Sequence, residues 1–391
     1  MGHTVFLLVP DYPNAMELDK KMNVKNVFRF KSYKIFFNDE NRLVYKSEKK
    51  KIFKTLKAIK PDIIHVHTEF TMSKMATSYA KKFSVPLVMT AHTNWEELIH
   101  HYIHFIPSWI ARIYCHALMR RTYNKADTVI VPTSLMEVLL NLYSVCKPIR
   151  VIPTGIDKKE FEISDSTNET TLQFYETYPQ LRSHKILFFA GRIGKEKNIT
   201  FLIDVIKELL PDNPDIILVI SGDGPAMGEI RKYALEKGVI EHVVFTGFVE
   251  RLKLKNFYSL AKVFVFASKV ESQGMVVLES MACGTPVVAI GKMGTREVMG
   301  GDSGGFMVDD ELETFAEMVE VLLNDSLIHK MKSDEALQHV SKWTIQLQAA
   351  KMIKLYNFLV KKHNQCSCIK QEMKKNNFLS KFYKIFFRST G

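Results

Sequence analysis

Glu271 and Glu279 stand eight residues apart in the run Glu271-Ser-Gln-Gly-Met-Val-Val-Leu-Glu279, which continues as Ser-Met-Ala-Cys-Gly284-Thr-Pro286. It comes just after the apolar segment Val263–Ala267, which reads as a buried strand. Gly274 has no Cβ, so the backbone there turns tightly and approaches a ligand closely. The spacing predicts a helix from about Met275 to Cys283, stopped at Gly284. Its free N–H groups point back into the site with roughly half a positive charge, which suits a diphosphate. Glu271, in the loop, reaches a sugar hydroxyl. Glu279, inside the helix, is placed to accept two ribose hydroxyls. The competing reading is an ordinary strand–loop–helix with surface glutamates.

A second group is Gly191-Arg-Ile-Gly-Lys-Glu-Lys-Asn198, after the apolar run Ile186–Ala190. Arg192 offers a planar fork to phosphate oxygens and Lys197 a point charge. Glycine turns also follow two other apolar runs. Ser221-Gly-Asp-Gly-Pro225, with Gly222, is too short for a dinucleotide fingerprint. Phe245-Thr-Gly-Phe-Val249, with Phe248 and Val249, offers backbone groups to a base.

Among the histidines, His92 follows the run Leu87–Thr90, where a first-lobe residue would face a cleft. A neutral imidazole there hydrogen-bonds a sugar hydroxyl or backbone. His65 and His67 alternate and so share one face of a strand end. No third metal ligand accompanies them, and they read as structural. His100 and His104 share a helix face, read with His101 as acceptor-side or interfacial surface. No H-E-x-x-H and no D-x-D triplet occurs. A metal-independent reaction is therefore expected, with Arg192, Lys197 and the helix end neutralising leaving-group charge.

The elements that must position these residues are short apolar runs alternating with helical patterns. Val5–Val9, Ile63–Val66, Leu87–Thr90 and Thr128–Val131 read as buried strands in the first half. Ile186–Ala190, Ile216–Ile220, Val243–Thr246, Val263–Ala267 and Pro286–Ile290 do so in the second. Such runs predict parallel sheets covered on both faces, with ligands at the strands' carboxyl ends. A chain of 391 residues is too long for one ordinary core. The expected class is α/β, with two Rossmann-like doubly wound domains facing a cleft. Polar Glu162–Ser183 reads as the surface connection between them. Residues 1–165 form the first domain, 166–345 the second, and 346–391 a returning helix with a basic amphipathic tail. Met1-Gly-His-Thr leads straight into a strand, so the sequence joins its lobe at the second strand.

The formal charge is +12, which admits nucleic acid, an anionic membrane face or anionic small molecules. No nucleic-acid reading motif is present. The five cysteines include no C-x-x-C pair, and reduced thiols in a cytosol fit best. Neither a signal peptide nor a bilayer-spanning run is read, so membrane contact is expected to be peripheral. In the tail, Phe378, Leu379, Phe382, Ile385 and Phe386 share one helix side while Lys381, Lys384 and Arg388 gather on another, as an interfacial helix requires. The segment His100–Arg121, with Trp109, is a second candidate surface of mixed faces.

With its E-x7-E motif and the Arg192/Lys197 loop, the chain resembles the group 1 retaining glycosyltransferases of the GT-B fold, most strongly from Lys185 to Phe306. The resemblance implies that Arg192 and Lys197 hold a donor diphosphate with the backbone of Gly274, Met275 and Val276. It places Glu279 at the ribose and Glu271 beside the transferred sugar. Asn26-Val-Phe-Arg-Phe-Lys-Ser-Tyr-Lys, His65-Val-His-Thr-Glu-Phe70 and Thr90-Ala-His-Thr-Asn-Trp-Glu96-Glu97 look like diacylglycerol glucosyltransferases, a branch in which His92 lies near the sugar. Lipid-linked mannosyltransferases share much of that pattern. The family's first strand, glycine loop and helix have no counterpart before Met1. The function this implies is a hexosyltransferase moving a hexose, glucose from UDP-glucose, to a lipid such as 1,2-diacylglycerol at the inner face of the cell membrane. Transfer to a phosphatidylinositol, glycolipid or envelope polysaccharide remains open, as does a non-catalytic nucleotide-sugar-binding protein.

Overall fold

The computed structural model describes residues 2–13, 15–21, 24–35, 38–95, 107–161 and 169–375. The tail segment 378–388 and His100, His101 and His104 lie outside these residues.

In the first lobe, β5 (Ile64–Val66), β6 (Leu87–Thr90), β7 (Thr128–Val131) and β8 (Ile149–Val151) form a parallel sheet in that order. Ahead of it, β1 (Leu7–Pro10) pairs in parallel with β2 (Val27–Phe30), and β3 (Ser32–Ile35) forms an antiparallel hairpin with β4 (Asn38–Val44). The expectation of a buried strand at Val5–Val9 is corrected here. The strand begins at Leu7, and Val5 and Leu7 are 64% and 42% exposed. Among the described residues β1 pairs only with β2, and Leu8 alone of its residues packs against the first lobe's core.

The second lobe holds β9 (Lys185–Ala190), β10 (Ile216–Ser221), β11 (Val243–Gly247), β12 (Val263–Phe266), β13 (Val287–Ile290) and β14 (Gly305–Val308). Their order is β11-β10-β9-β12-β13-β14, all parallel. The strands β10, β12 and β13 are buried at every position, as a parallel sheet with helices on both faces demands. Leu187 of β9 faces Leu218 on one side and Val263 on the other. From β9 the chain winds outward through β10 and β11, then returns to β12 and winds the opposite way. The order therefore reverses between β9 and β12, and a crevice opens at their carboxyl ends.

The polar connection predicted over Glu162–Ser183 is only partly a surface segment. A helix, Glu169–Thr177, forms within it, and Phe174 and Leu181 are buried in the second lobe's core. After the last strand the chain returns. Helix Ile345–Lys375 lays Met352, Leu355, Tyr356 and Leu359 against Val88, Ile130 and Ile152 of the first lobe. It runs on to Lys375, because Lys361 to Lys375 contain no proline or glycine.

Candidate functional site

The two loops at the β9/β12 crevice are the two groups singled out in the sequence. Behind β12, Gly274 takes φ +81°, a conformation that side chains with a Cβ seldom adopt, and caps the helix Met275–Ala282. That helix stops with Gly284 at φ +72°. Behind β9, residues 191–198 rest against the β10 turn. A Cβ at Gly222 would lie 1.8 Å from the Gly191 carbonyl oxygen, and one at Gly224 would lie 2.3 Å from that of Ile193. Gly222 thus seats the loop that carries Arg192.

A cavity of about 380 Å³ lies between the lobes, lined by His92, Arg192, Lys197, Glu271, Gly274, Met275 and Val276, with Pro132 and Thr154 from the first lobe. A larger opening of about 730 Å³ between His3 and the long C-terminal helix holds none of these groups and lies away from the crevice. Seven of the expected site residues therefore come together on one cavity. Gly222, Phe248, Val249 and Glu279 do not line it. Phe248 stands 80% exposed just past β11, and Val249 packs against the second lobe's core.

The charges are paired. Lys197 Nζ donates to the Glu271 carboxylate. Glu279 is buried; one of its oxygens lies 3.2 Å from Arg251 Nη2 and the other accepts from the Tyr258 hydroxyl at 3.0 Å. Burial raises the Glu279 pKa, while Arg251 and Tyr258 oppose the rise. The expectation of a glutamate open to two ribose hydroxyls is thereby refined, since both oxygens already have a partner and offer only their remaining lone pairs.

On the facing wall, His67 Nδ1 and His92 Nε2 share a hydrogen bond of 2.9 Å, and their rings stack at 5.2 Å. His65 bonds Thr90 Oγ1 at 2.6 Å and the Tyr356 hydroxyl at 2.5 Å, tying β5 and β6 to the returning helix. Burial holds His65 near a pKa of about 3 and His67 near about 4, and lowers that of His92. His67 and His92 are exposed and His92 lines the cavity, yet all three depressions point to neutral imidazoles at neutral pH.

Several contributors were invisible in the sequence. Gln273 makes a two-way amide bond with the Thr154 backbone, at 2.9 and 2.8 Å. Thr133 Oγ1 donates to Ser272 O at 3.1 Å, and Glu297 accepts from Ser134 N and Oγ at 2.7 and 2.6 Å. Gly294 lets its helix abut the loop, since a Cβ there would meet Gln273 N at 2.6 Å. The hydrogen-bond partners between the lobes lie 119 to 163 residues apart, so no local pattern announces them.

Residues 179–339 match the family model described as glycosyl transferases group 1, and residues 1–160 match glycosyltransferase family 4. An alpha-monoglucosyldiacylglycerol synthase of Streptococcus pneumoniae is 28% identical over 345 residues, 87% of this chain and 76% of that protein. The synthase of the same name from Acholeplasma laidlawii is 27% identical, covering 74% and 72%. A GDP-mannose-dependent alpha-(1-6)-phosphatidylinositol dimannoside mannosyltransferase of Mycobacterium tuberculosis is 26% identical, covering 90% and 87%. Among solved structures, Anabaena Alr3699/HepE in complex with UDP and glucose superposes with a TM-score of 0.72 at 18% identity, covering 90% of this chain and 91% of that one. The reversal of strand order, the two loops at it and these likenesses agree: the chain belongs to the group 1 glycosyltransferases and has the two-lobed GT-B fold.

Proposed function

We propose that this enzyme transfers glucose from UDP-glucose to the hydroxyl of a lipid acceptor such as 1,2-diacylglycerol, with retention at the anomeric carbon. The observation that carries the reading is the convergence of Arg192, Lys197, Glu271 and the helix tip at Gly274–Val276 on one cavity whose opposite wall is His92. The diphosphate would sit on the helix N–H groups beside Arg192 and Lys197. Glu279 would hold the ribose, and Phe248 and Val249 would border the base. Glu271 and His92 would fix the hexose through its hydroxyls. The acceptor oxygen attacks C1 on the face that the phosphate leaves. The C1–O bond electrons pass to the departing phosphate, which takes the acceptor's proton. Positioning and stabilisation of that phosphate supply the catalysis, without a metal ion.

The acceptor class rests on the relatives, two of which are named as diacylglycerol glucosyltransferring synthases and one as a phosphatidylinositol dimannoside mannosyltransferase. Their name also specifies an α product, which an α-linked donor yields by retention. Among the described residues no helix is long and apolar enough to cross a membrane. We place the enzyme at the inner face of the cell membrane as a peripheral protein. The test is incubation with labelled UDP-glucose and diacylglycerol in mixed micelles. Label in a chloroform-soluble α-glucoside supports the reading. Label confined to water-soluble products rejects the lipid acceptor, and transfer to phosphatidylinositol instead replaces it.

A further inference from the structure

Helix Ser108–Tyr123 precedes β7 and is fixed at its far end, where the Asn124 side chain bonds Ser144 O and Cys146 N ahead of β8. Its 16 residues span about 24 Å, against about 13 Å for the neighbouring four-residue strand. A connecting helix runs antiparallel to the strand it feeds, so its first turns overhang the carboxyl ends of the sheet, the side on which His92 lies.

Among the described residues, one face of the overhang is apolar and exposed, with Arg112 beside it. Trp109, Ile110, Ile113 and Tyr114 are 64%, 42%, 61% and 64% exposed. At 100° per residue they fall on one sector of about 140°. Two turns further on, exposed Arg120 and Arg121 occupy that same sector. Cys115, Met119 and Tyr123 face the opposite way and are buried. Along one face the helix thus changes from aromatic and aliphatic at its tip to basic about 10–15 Å behind. It carries no acidic side chain.

We infer that this overhanging face docks the enzyme on an anionic lipid bilayer, with Trp109, Ile110, Ile113 and Tyr114 entering the interface and Arg120 and Arg121 meeting the headgroups. An interfacial element buries its apolar side about 5–10 Å deep and gains from basic residues at the phosphate level. Trp and Tyr suit that boundary, having an apolar ring and a polar tip. A second copy of this face is a poor occupant, because the basic sectors would meet. The inference deepens the lipid-acceptor reading and rests on it: docked this way, the first lobe presents its cleft side to the membrane that holds the acceptor.

The test is flotation of the full chain with vesicles of phosphatidylcholine and phosphatidylglycerol in equal parts, compared with phosphatidylcholine alone. The W109S/I113S/Y114S and R120E/R121E variants are run beside it. We expect each variant to lower partition onto the anionic vesicles by about tenfold or more, and brominated lipid to quench a Trp emission component that W109F removes. Circular dichroism should match for all forms, since the substituted side chains are exposed. Undiminished partition of the triple variant, or its dissociation of a dimer in sedimentation, would overturn the inference. Transfer to diacylglycerol in detergent micelles is measured in parallel. If the wild type glucosylates no lipid there, the functional reading fails; if it does, and the triple variant still floats, only the docking face fails.

Discussion

Lys197 reaches across the crevice to the carboxylate of Glu271, so two of the charged groups that line the cavity neutralise each other. Both side chains are largely shielded, at 14% and 17% exposure. A diphosphate entering the cavity competes with Glu271 for Lys197. Lys197→Ala should raise the donor KM about tenfold to a hundredfold, the range for a charged hydrogen bond. Glu271→Gln frees Lys197, so donor affinity should hold while kcat falls, about a hundredfold if sugar placement is lost. Steady-state kinetics with varied UDP-glucose separates the two, and equal losses of affinity in both would contradict the assignment.

Glu279 gives a pH signature. In the proposed role its ionised form accepts the ribose hydroxyls most strongly, and burial raises its pKa against the pull of Arg251 and Tyr258. Donor affinity should therefore fade on acidification from a higher pH than for an ordinary carboxylate. Arg251→Met removes the opposing charge and should move that loss to still higher pH, with kcat at saturating donor little changed. Tyr258→Phe should act in the same direction more weakly. Isothermal titration with UDP across pH 5 to 8 is the check, and profiles that superpose would show that Glu279 does not touch the nucleotide.

The histidines should govern stability. His65 titrates near 6.5 when unfolded but only at about 3 in the fold, where burial disfavours its charge. Between those values the unfolded chain binds more protons, so stability rises with pH there and falls as the pH drops below about 6.5. His67, at about 4, adds to the same window. Thermal melts at pH 7.5 and 5 should show the wild type losing Tm on acidification. His65→Gln should lower Tm at pH 7.5, by loss of the Thr90 and Tyr356 bonds, and flatten the pH dependence. An unchanged slope would contradict this.

The lobe-to-lobe bonds should matter for turnover. Gln273→Ala leaves the Thr154 amide and carbonyl without their present partner, and Glu297→Ala uncaps Ser134. Each should lower kcat severalfold by loosening the donor loop, with modest effect on Tm. Unaltered kcat in the double variant would show that the loop holds its place unaided.

The sequence made the second lobe legible because its strands are unbroken apolar runs and its two cavity-lining loops each sit directly behind one. Gly274 and Gly284 mark the limits of the helix in the sequence itself. The first strand is not legible in the same way, because Val5–Val9 has the composition of a buried strand while Val5 and Leu7 are exposed. Phe174 and Leu181 hid inside a stretch whose polar residues looked like a linker. The pairing of Arg251 with Glu279, and of His67 with His92, depends on contacts between distant segments that no spacing reveals.

A crystal of the enzyme soaked with UDP-glucose tests whether a nucleotide diphosphate sits on the Met275 helix tip between Arg192 and Lys197. Phosphate oxygens are expected within hydrogen-bond reach of the Met275 and Val276 amides and of Arg192, with Lys197 released from Glu271 and the ribose on Glu279. A diphosphate seated away from this helix, with the Lys197–Glu271 pair intact, would contradict it.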